Sequence, residues 1–529
     1  MNNAFTEIEL SDIDSPELYG RRVIYVSVPA EGFTKDNIVN VVSNIMPTHE
    51  KNAAECDYLY KYAKGRQPIK VRTKKIRSDI NNKVTENHAL EILTFKVGYT
   101  FGEPVQFVLY GDCDIHDPDK KNDERMAAYN ELLRTDNKNS KDKSLGNWIF
   151  TCGVGYRMCL PSPKGSDHPF STYVLDPRQA WVAVVDDYTE EPVLCGYCNK
   201  KRTKYDIYSK TKHWIIELSV GEDGFIDFEG TPEIEEKPNL MGMLPIVQYK
   251  ANDQMLGCFE VVLDSCNALN TLESNALDSV EQFVQAFIWF NNCDVDEDKV
   301  DKLKGFGAIS TSSPPGVQAQ IKIMSESLDQ EQTSVFKENL YQAMLTIAAV
   351  PDRRASAGGN TGQALIIGEG WIMAESAAKD FENIFKLSER QFIELSLKIC
   401  ELSNVTPKKM GDLALADIDI HFTRRMTDNL LVKTQALMNM LQAGVHPRHA
   451  FKICGLFNDP EQAYIDSQEY LAKYLIGEGD GSELLNAADN NSPVAEELLD
   501  AMRKLKNNLD NESDAEKETV ENGTNAESA

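Results

Sequence analysis

The sequence predicts an α+β protein of several domains, and three observations carry that prediction. A chain of 529 residues exceeds what one hydrophobic core organises. Between Phe101 and Tyr249, short alternating segments separated by Gly, Pro and Asp turns read as strands. From Phe259 onward the apolar period changes to three and four, and one such run lasts about 33 residues, a rod of roughly 50 Å.

The composition narrows the function classes. A hydrophobic fraction of 42% suits globular material, and no apolar run approaches the ~20 residues that a membrane span takes. The N-terminus is acidic and has no basic region followed by an apolar stretch, so an intracellular protein is expected. A net charge of -28 opposes tight general DNA binding, which needs cations to displace counterions from phosphates. Such a surface suits a protein past which DNA must slide. The basic exception is Lys64 to Arg77, with seven Lys or Arg and no acid; it reads as a solvated extended segment, with nucleic-acid contact as the alternative. Eleven scattered cysteines fit reduced thiols. Cys195-Gly-Tyr-Cys198 has metal-ligand spacing but no second pair, so it reads as strand, and His446 and His449 stand without a carboxylate or thiol partner. No metal site and no cofactor are expected.

Taken in order, residues 36–64 show helical spacing at Ile38, Val41, Val42, Ile45, Leu59 and Tyr62. Helical patches near 122–135 and 142–151 interrupt the strand-rich region. The carboxylate-rich loop at 111–124 lacks the spacing and central glycine of a calcium loop. A long helix from Phe259 carries Val262, Cys266, Leu269, Ala276, Val280, Phe283 and Phe287 on one stripe. A β-like excursion containing Pro314-Pro315-Gly316 follows. A second helix from about Ser327 places Phe336, Leu340, Ala343 and Ile347 on its apolar stripe and stops at Val350-Pro351. The rod carries Trp371, Ala374, Ala378, Phe381, Phe385, Ser388, Phe392, Leu395, Ile399 and Leu402, with only Ser388 breaking the apolar rule. A strand at "DIDIHFTR" leads to three helices, 428–443, 447–454 and 460–476, each stopped by Gly. The last 20 residues lack apolar anchors and are expected to be disordered.

Between the second helix and the rod lies "VPDRRASAGGNTGQALIIGEG", Val350 to Gly370. A phosphate-binding Walker A loop ends in Gly-Lys-Ser/Thr and follows a strand. Here Gly362 precedes Gln363 and Ala364, and the loop follows a helix. No GxSxG, HExxH or kinase set occurs elsewhere, so an enzyme such as a terminase-like ATPase or nuclease is disfavoured.

The order of parts resembles the portal proteins of tailed bacteriophages. Local stretches carry the likeness: "YLYKYAKGRQPI" at 58–69, "NHALEILTFKVGYTFGEPV" at 87–105, "CGVGYRMCL", "YVLDPRQAWVAVVDD", "MLPIVQYKAND" and "GNTGQALI". It spans roughly 35–475. Gln67 before Pro68 and the double arginine at 353 and 354 depart from the pattern. The resemblance implies a portal fold: an N-terminal arm (1–34), a strand-rich wing (35–258), a two-helix stem (259–290 and 327–349), a small α/β clip (291–326) and a tunnel loop (350–364). A very long wing helix with its return strand (365–426), a helical crown (427–476) and an acidic tail (477–529) complete it.

It implies a noncatalytic, homo-oligomeric ring, dodecameric in the virion, at one capsid vertex, assembled in the host bacterial cytoplasm. Double-stranded DNA would pass through it. Major capsid and scaffolding proteins would surround it, and the terminase large subunit and then head-completion adaptors would dock on the clip. The implied channel residues are Arg353, Arg354, Gly358, Gly359, Asn360, Thr361 and Gly362; the implied docking residues are Lys302, Lys304, Pro314 and Pro315. Arg353 and Arg354 would touch phosphates transiently, make intersubunit ion pairs, or remain solvated. Another ring-forming virion component, an adaptor or tail-tube protein, is the remaining rival; those are usually shorter.

Overall fold

The computed structural model describes residues 20–75, 78–109, 124–218, 232–284, 287–291, 320–324, 330–352, 370–422, 424, 430–454, 456, 457, 460, 463–465 and 467. It is mixed helix and sheet, as the α+β expectation holds, and divides into two units, Met1–Met426 and Thr427–Ala529.

The first unit begins with strand β1 (Ile24–Val26), helices α1 (Ile38–Ala63) and α2 (His88–Phe101) and strand β2 (Gln106–Leu109). Helices α3 (Glu124–Thr135) and α4 (Lys138–Cys152) lead into β3 (Val154–Pro161), β4 (Phe170–Leu175), β5 (Ala180–Val185), β6 (Pro192–Cys198), β7 (Lys204–Ser209), β8 (Lys212–Glu217), β9 (Glu233–Pro238) and β10 (Ile246–Lys250). Then come α5 (Leu263–Val284), β11 (Phe287–Asn291), β12 (Gln320–Met324), α6 (Gln330–Ile347), the rod α7 (Trp371–Leu402) and β13 (Ile418–His421).

A six-stranded sheet has the order β1-β5-β6-β7-β8-β9, and a three-stranded sheet the order β10-β3-β4. Strand β1 runs parallel to β5, pairing Ile24 with Ala183, while the hairpin-linked strands beyond are antiparallel. Helix α1 serves different cores on either side of Pro47, which removes an intrahelical hydrogen bond. Ile38, Val41, Val42 and Ile45 pack with Trp181, Ile207 and Trp214 of the six-stranded sheet. Past Pro47, Tyr58, Leu59 and Tyr62 join the principal core, with Phe101, Phe385 and Phe392. The Cys195–Cys198 pair sits buried on β6, where burial pushes the thiols up to about 12 and about 11. The residue that matters there is Gly196: a β-carbon would fall 2.4 Å from the Trp181 ring.

Three helical stripes differ from the sequence expectation. On α7 the buried line runs through Glu389, with Ser388 only half-buried and Leu402 exposed, because three polar partners described below accept a buried carboxylate. On α6 the core face is Tyr341, Met344 and Leu345, leaving Phe336 59% and Ile347 61% exposed. On α5, Cys266 and Leu269 are buried as expected, but Val280 is 48% exposed, and Asn270, Ser274 and Asp278 turn inward. The basic segment is also not a free solvated strand. It forms a short 3₁₀ turn at Pro68–Val71, and Arg72 and Lys74 pair with Asp278 at 3.2 and 3.0 Å.

In the second unit, α8 (Leu430–Gln442) ends at Gly444, whose N–H donates to Leu441, and α9 (Pro447–Cys454) follows. Phe451 stacks on Phe457 at 5.1 Å. The His446 and His449 rings pack 5.9 Å apart in this cluster. The expected helix from Pro460 is described only at scattered positions, and the tail from 477 lies outside the described residues.

Candidate functional site

The predicted channel residues Arg353, Arg354, Gly358, Gly359, Asn360, Thr361 and Gly362 lie outside the described residues, as do Lys302, Lys304, Pro314 and Pro315 and the loop at 111–123. The structure does show how the chain enters and leaves both segments.

Helices α5 and α6 run antiparallel. Cys266 Sγ lies 3.5 Å from Met344 Sδ, and seven residues along, Glu273 forms an ion pair with Lys337. The same register continues where the helices give way to strands, with Phe287 opposite Met324 and Asn291 opposite Gln320. Residues 292–319 therefore leave and rejoin a single hairpin.

The far end of α6 stops through backbone geometry. Ala349 takes φ +49°, the left-handed conformation usual at a helix C-terminus, and the Val350 N–H returns to the Leu345 carbonyl at 2.9 Å. Lys96 Nζ donates to the Ala349 carbonyl at 3.1 Å, placing a cation at the negative end of the helix dipole. Gly370, with φ +81°, opens α7, and a β-carbon there would lie 3.9 Å from Pro351 Cα. The loop between them thus starts and finishes at one point. Its exit is held by α2: Trp371 packs on Phe95 and Tyr99, and Glu375 accepts from Tyr99 Oη at 2.7 Å and pairs with Arg424 at 2.6 Å.

Farther along the rod, Glu389 anchors α7 inside the strand-rich body. Arg157 Nη1 reaches both its oxygens at 3.1 and 3.0 Å, Lys138 Nζ lies at 2.8 Å, and Tyr249 Oη donates at 2.7 Å. Asp142 completes the group, 2.5 Å from Lys138 and bonded to Arg157. Two cations balance two anions, and burial, which would raise the Glu389 pKa, is outweighed by Arg157 and Lys138. Apolar periodicity cannot reveal such a group. Its one sequence signal is Glu389 standing where the stripe passes between Phe385 and Phe392.

The α5 stripe was missed for the same reason. Asn270, Ser274 and Asp278, each four apart, accept the backbone N–H groups of Glu86, Val84 and Asn82 at 2.8, 3.0 and 2.7 Å. Next to it, His88 stands between Glu86 and Glu91 at 3.1 and 3.0 Å, with Lys337 and Tyr341 of α6 on the same two carboxylates. Among the described residues no group of His, Cys, Asp or Glu could hold a metal ion, and no helix is long and apolar enough to cross a membrane.

Comparison with known proteins places this architecture. The chain matches the family described as phage portal protein, SPP1 Gp6-like, over residues 43–472, and belongs to it. The portal protein of Bacillus phage SPP1 is 21% identical over 441 residues, which cover 76% of this chain and 80% of that protein.

Proposed function

We propose that the chain forms the noncatalytic, ring-shaped DNA channel at one vertex of a phage capsid. The carrying observation is the pair of excursions that close at their bases: a hairpin in continuous register around 292–319, and a loop whose ends meet at Pro351 and Gly370. With family membership, this supports assigning α5 and α6 to the stem, 291–326 to the clip, 350–364 to the tunnel loop, α7 and β13 to the wing and 427–476 to the crown. The clip docks the terminase motor during packaging and head-completion adaptors afterwards, and major capsid and scaffolding proteins surround the wing. Energy for translocation comes from the motor. A net charge of -28 per subunit, repeated around a ring, keeps DNA from adhering.

The test is a loop variant. If the loop faces moving DNA, Gly358→Pro with Gly359→Pro stiffens it, giving assembled particles that package little nuclease-protected DNA. Full packaging by that variant removes the loop from the mechanism. Arg353→Glu with Arg354→Glu separates phosphate contact, which lowers packaging alone, from intersubunit pairing, which lowers ring yield.

A further inference from the structure

The stem pair has two unlike edges. Beyond Leu269 on α5 and before Tyr341 on α6, the buried side chains among the described residues are Asn270, Ser274 and Asp278, all polar. Asn275, which takes Arg72, and Glu273, which takes Lys337, stand about 200° apart around α5 at 100° per residue. The basic segment and α6 therefore flank α5 on opposite sides. Lys70, Val71 and Lys75, all exposed, border that basic edge. On α6, Lys337 and Met344 face α5, and Glu331, Val335 and Glu338 lie about 110–170° around from them, on the far edge. These three are exposed too, Val335 by 58% and its counterpart Val71 by 38%. One edge carries cations around a valine, the other carboxylates around a valine.

We infer that these edges are the two halves of one contact between copies of this chain: Glu331, Val335 and Glu338 of one subunit dock on Lys70, Val71 and Lys75 of the next. Two different complementary patches make a heterologous interface, which repeats head to tail and closes when its rotation permits. Charge complementarity selects this occupant, because Lys64 to Arg77 holds seven Lys or Arg and no acid in a chain of net charge -28, and so offers an acidic helix edge a cationic partner. The inference rests on the ring reading above and adds which residues meet and in what polarity.

Three full-length charge variants test it, with circular dichroism to verify folding and light scattering for mass. Glu331→Lys with Glu338→Lys, and Lys70→Glu with Lys75→Glu, should each lose the ring, since like charges then face each other. The four substitutions in one chain should regain it. In addition, Val71→Cys with Val335→Cys should give a ladder of disulfide-linked multimers on oxidation, whereas either cysteine alone should not. A monomeric wild type overturns the ring reading itself. A wild-type ring with unaltered rings in both charge variants, or no ladder from the assembled double-cysteine protein, leaves the ring standing and overturns this interface.

Discussion

Glu389 shows most sharply what a single buried residue does in this protein. Its carboxylate is fully enclosed and shared by Arg157, Lys138 and Tyr249, so Glu389→Gln leaves two buried cations with one anion. Breaking such a group by removing one partner costs about 3–5 kcal/mol, so the variant should fold with a clearly lower urea midpoint; an unchanged midpoint would show that the group contributes nothing. His88 gives a pH dependence. Burial alone would lower its pKa, but Glu86 and Glu91 outweigh burial and raise it above 6.5, while Glu86, bonded to His88 and Lys337, falls to about 2. The raised histidine stabilises fully below its unfolded value of 6.5, and that contribution is lost as pH climbs through the folded pKa. The depressed glutamate stabilises above 4.5 and is lost as pH falls towards 2. The His88 contribution to the melting temperature should therefore fall as pH rises above 6.5, and His88→Gln should remove that part of the decline; an equal slope in both proteins would refute the assignment.

At the scale of elements, periodicity located the helices well, except that the helix expected to carry Phe287 on its stripe is α5, Leu263–Val284, and Phe287 instead opens strand β11, where it pairs with Met324. The expected rod is Trp371–Leu402, and the helix expected at 447–454 is Pro447–Cys454. Faces were less legible than extents. On α6 the expected stripe of Phe336 and Ile347 is exposed while Tyr341, Met344 and Ala348 are buried, because the inward line is offset by one residue, about 100° around the helix, from the expected one. On α5 the inward residues are polar because their partner is backbone, the segment from Asn82 to Glu86, and an unpaired N–H is what a polar stripe satisfies. That pairing has a measurable consequence. Asp278 holds Arg72, Lys74 and the Asn82 N–H, so Asp278→Ala should loosen the basic segment and make trypsin cut after Lys70, Arg72, Lys74 or Lys75 well before the rest of the chain. Unchanged protection of these sites would mean that the 3₁₀ turn and the bonds of Arg72 to Asn275 and Lys74 to the Ile80 carbonyl hold the segment without Asp278.

For the molecule as a whole, the resemblance legible in the local motifs and their order agrees with the family match across 43–472. The candidate channel and docking residues were chosen from the resemblance, and they fall in the two segments whose entry and exit, but not interior, the structure describes. What links them is the hairpin of α5 and α6 and the closed junction of Pro351 with Gly370, which would let many copies present the same loops at the same height around an axis. Assembly is thus the central claim. Size-exclusion chromatography with light scattering, followed by negative-stain imaging of the peak, tests it directly. The account predicts a mass many times 59.3 kDa and end views with a central hole. A single 59.3 kDa species over a wide range of salt and concentration would contradict it.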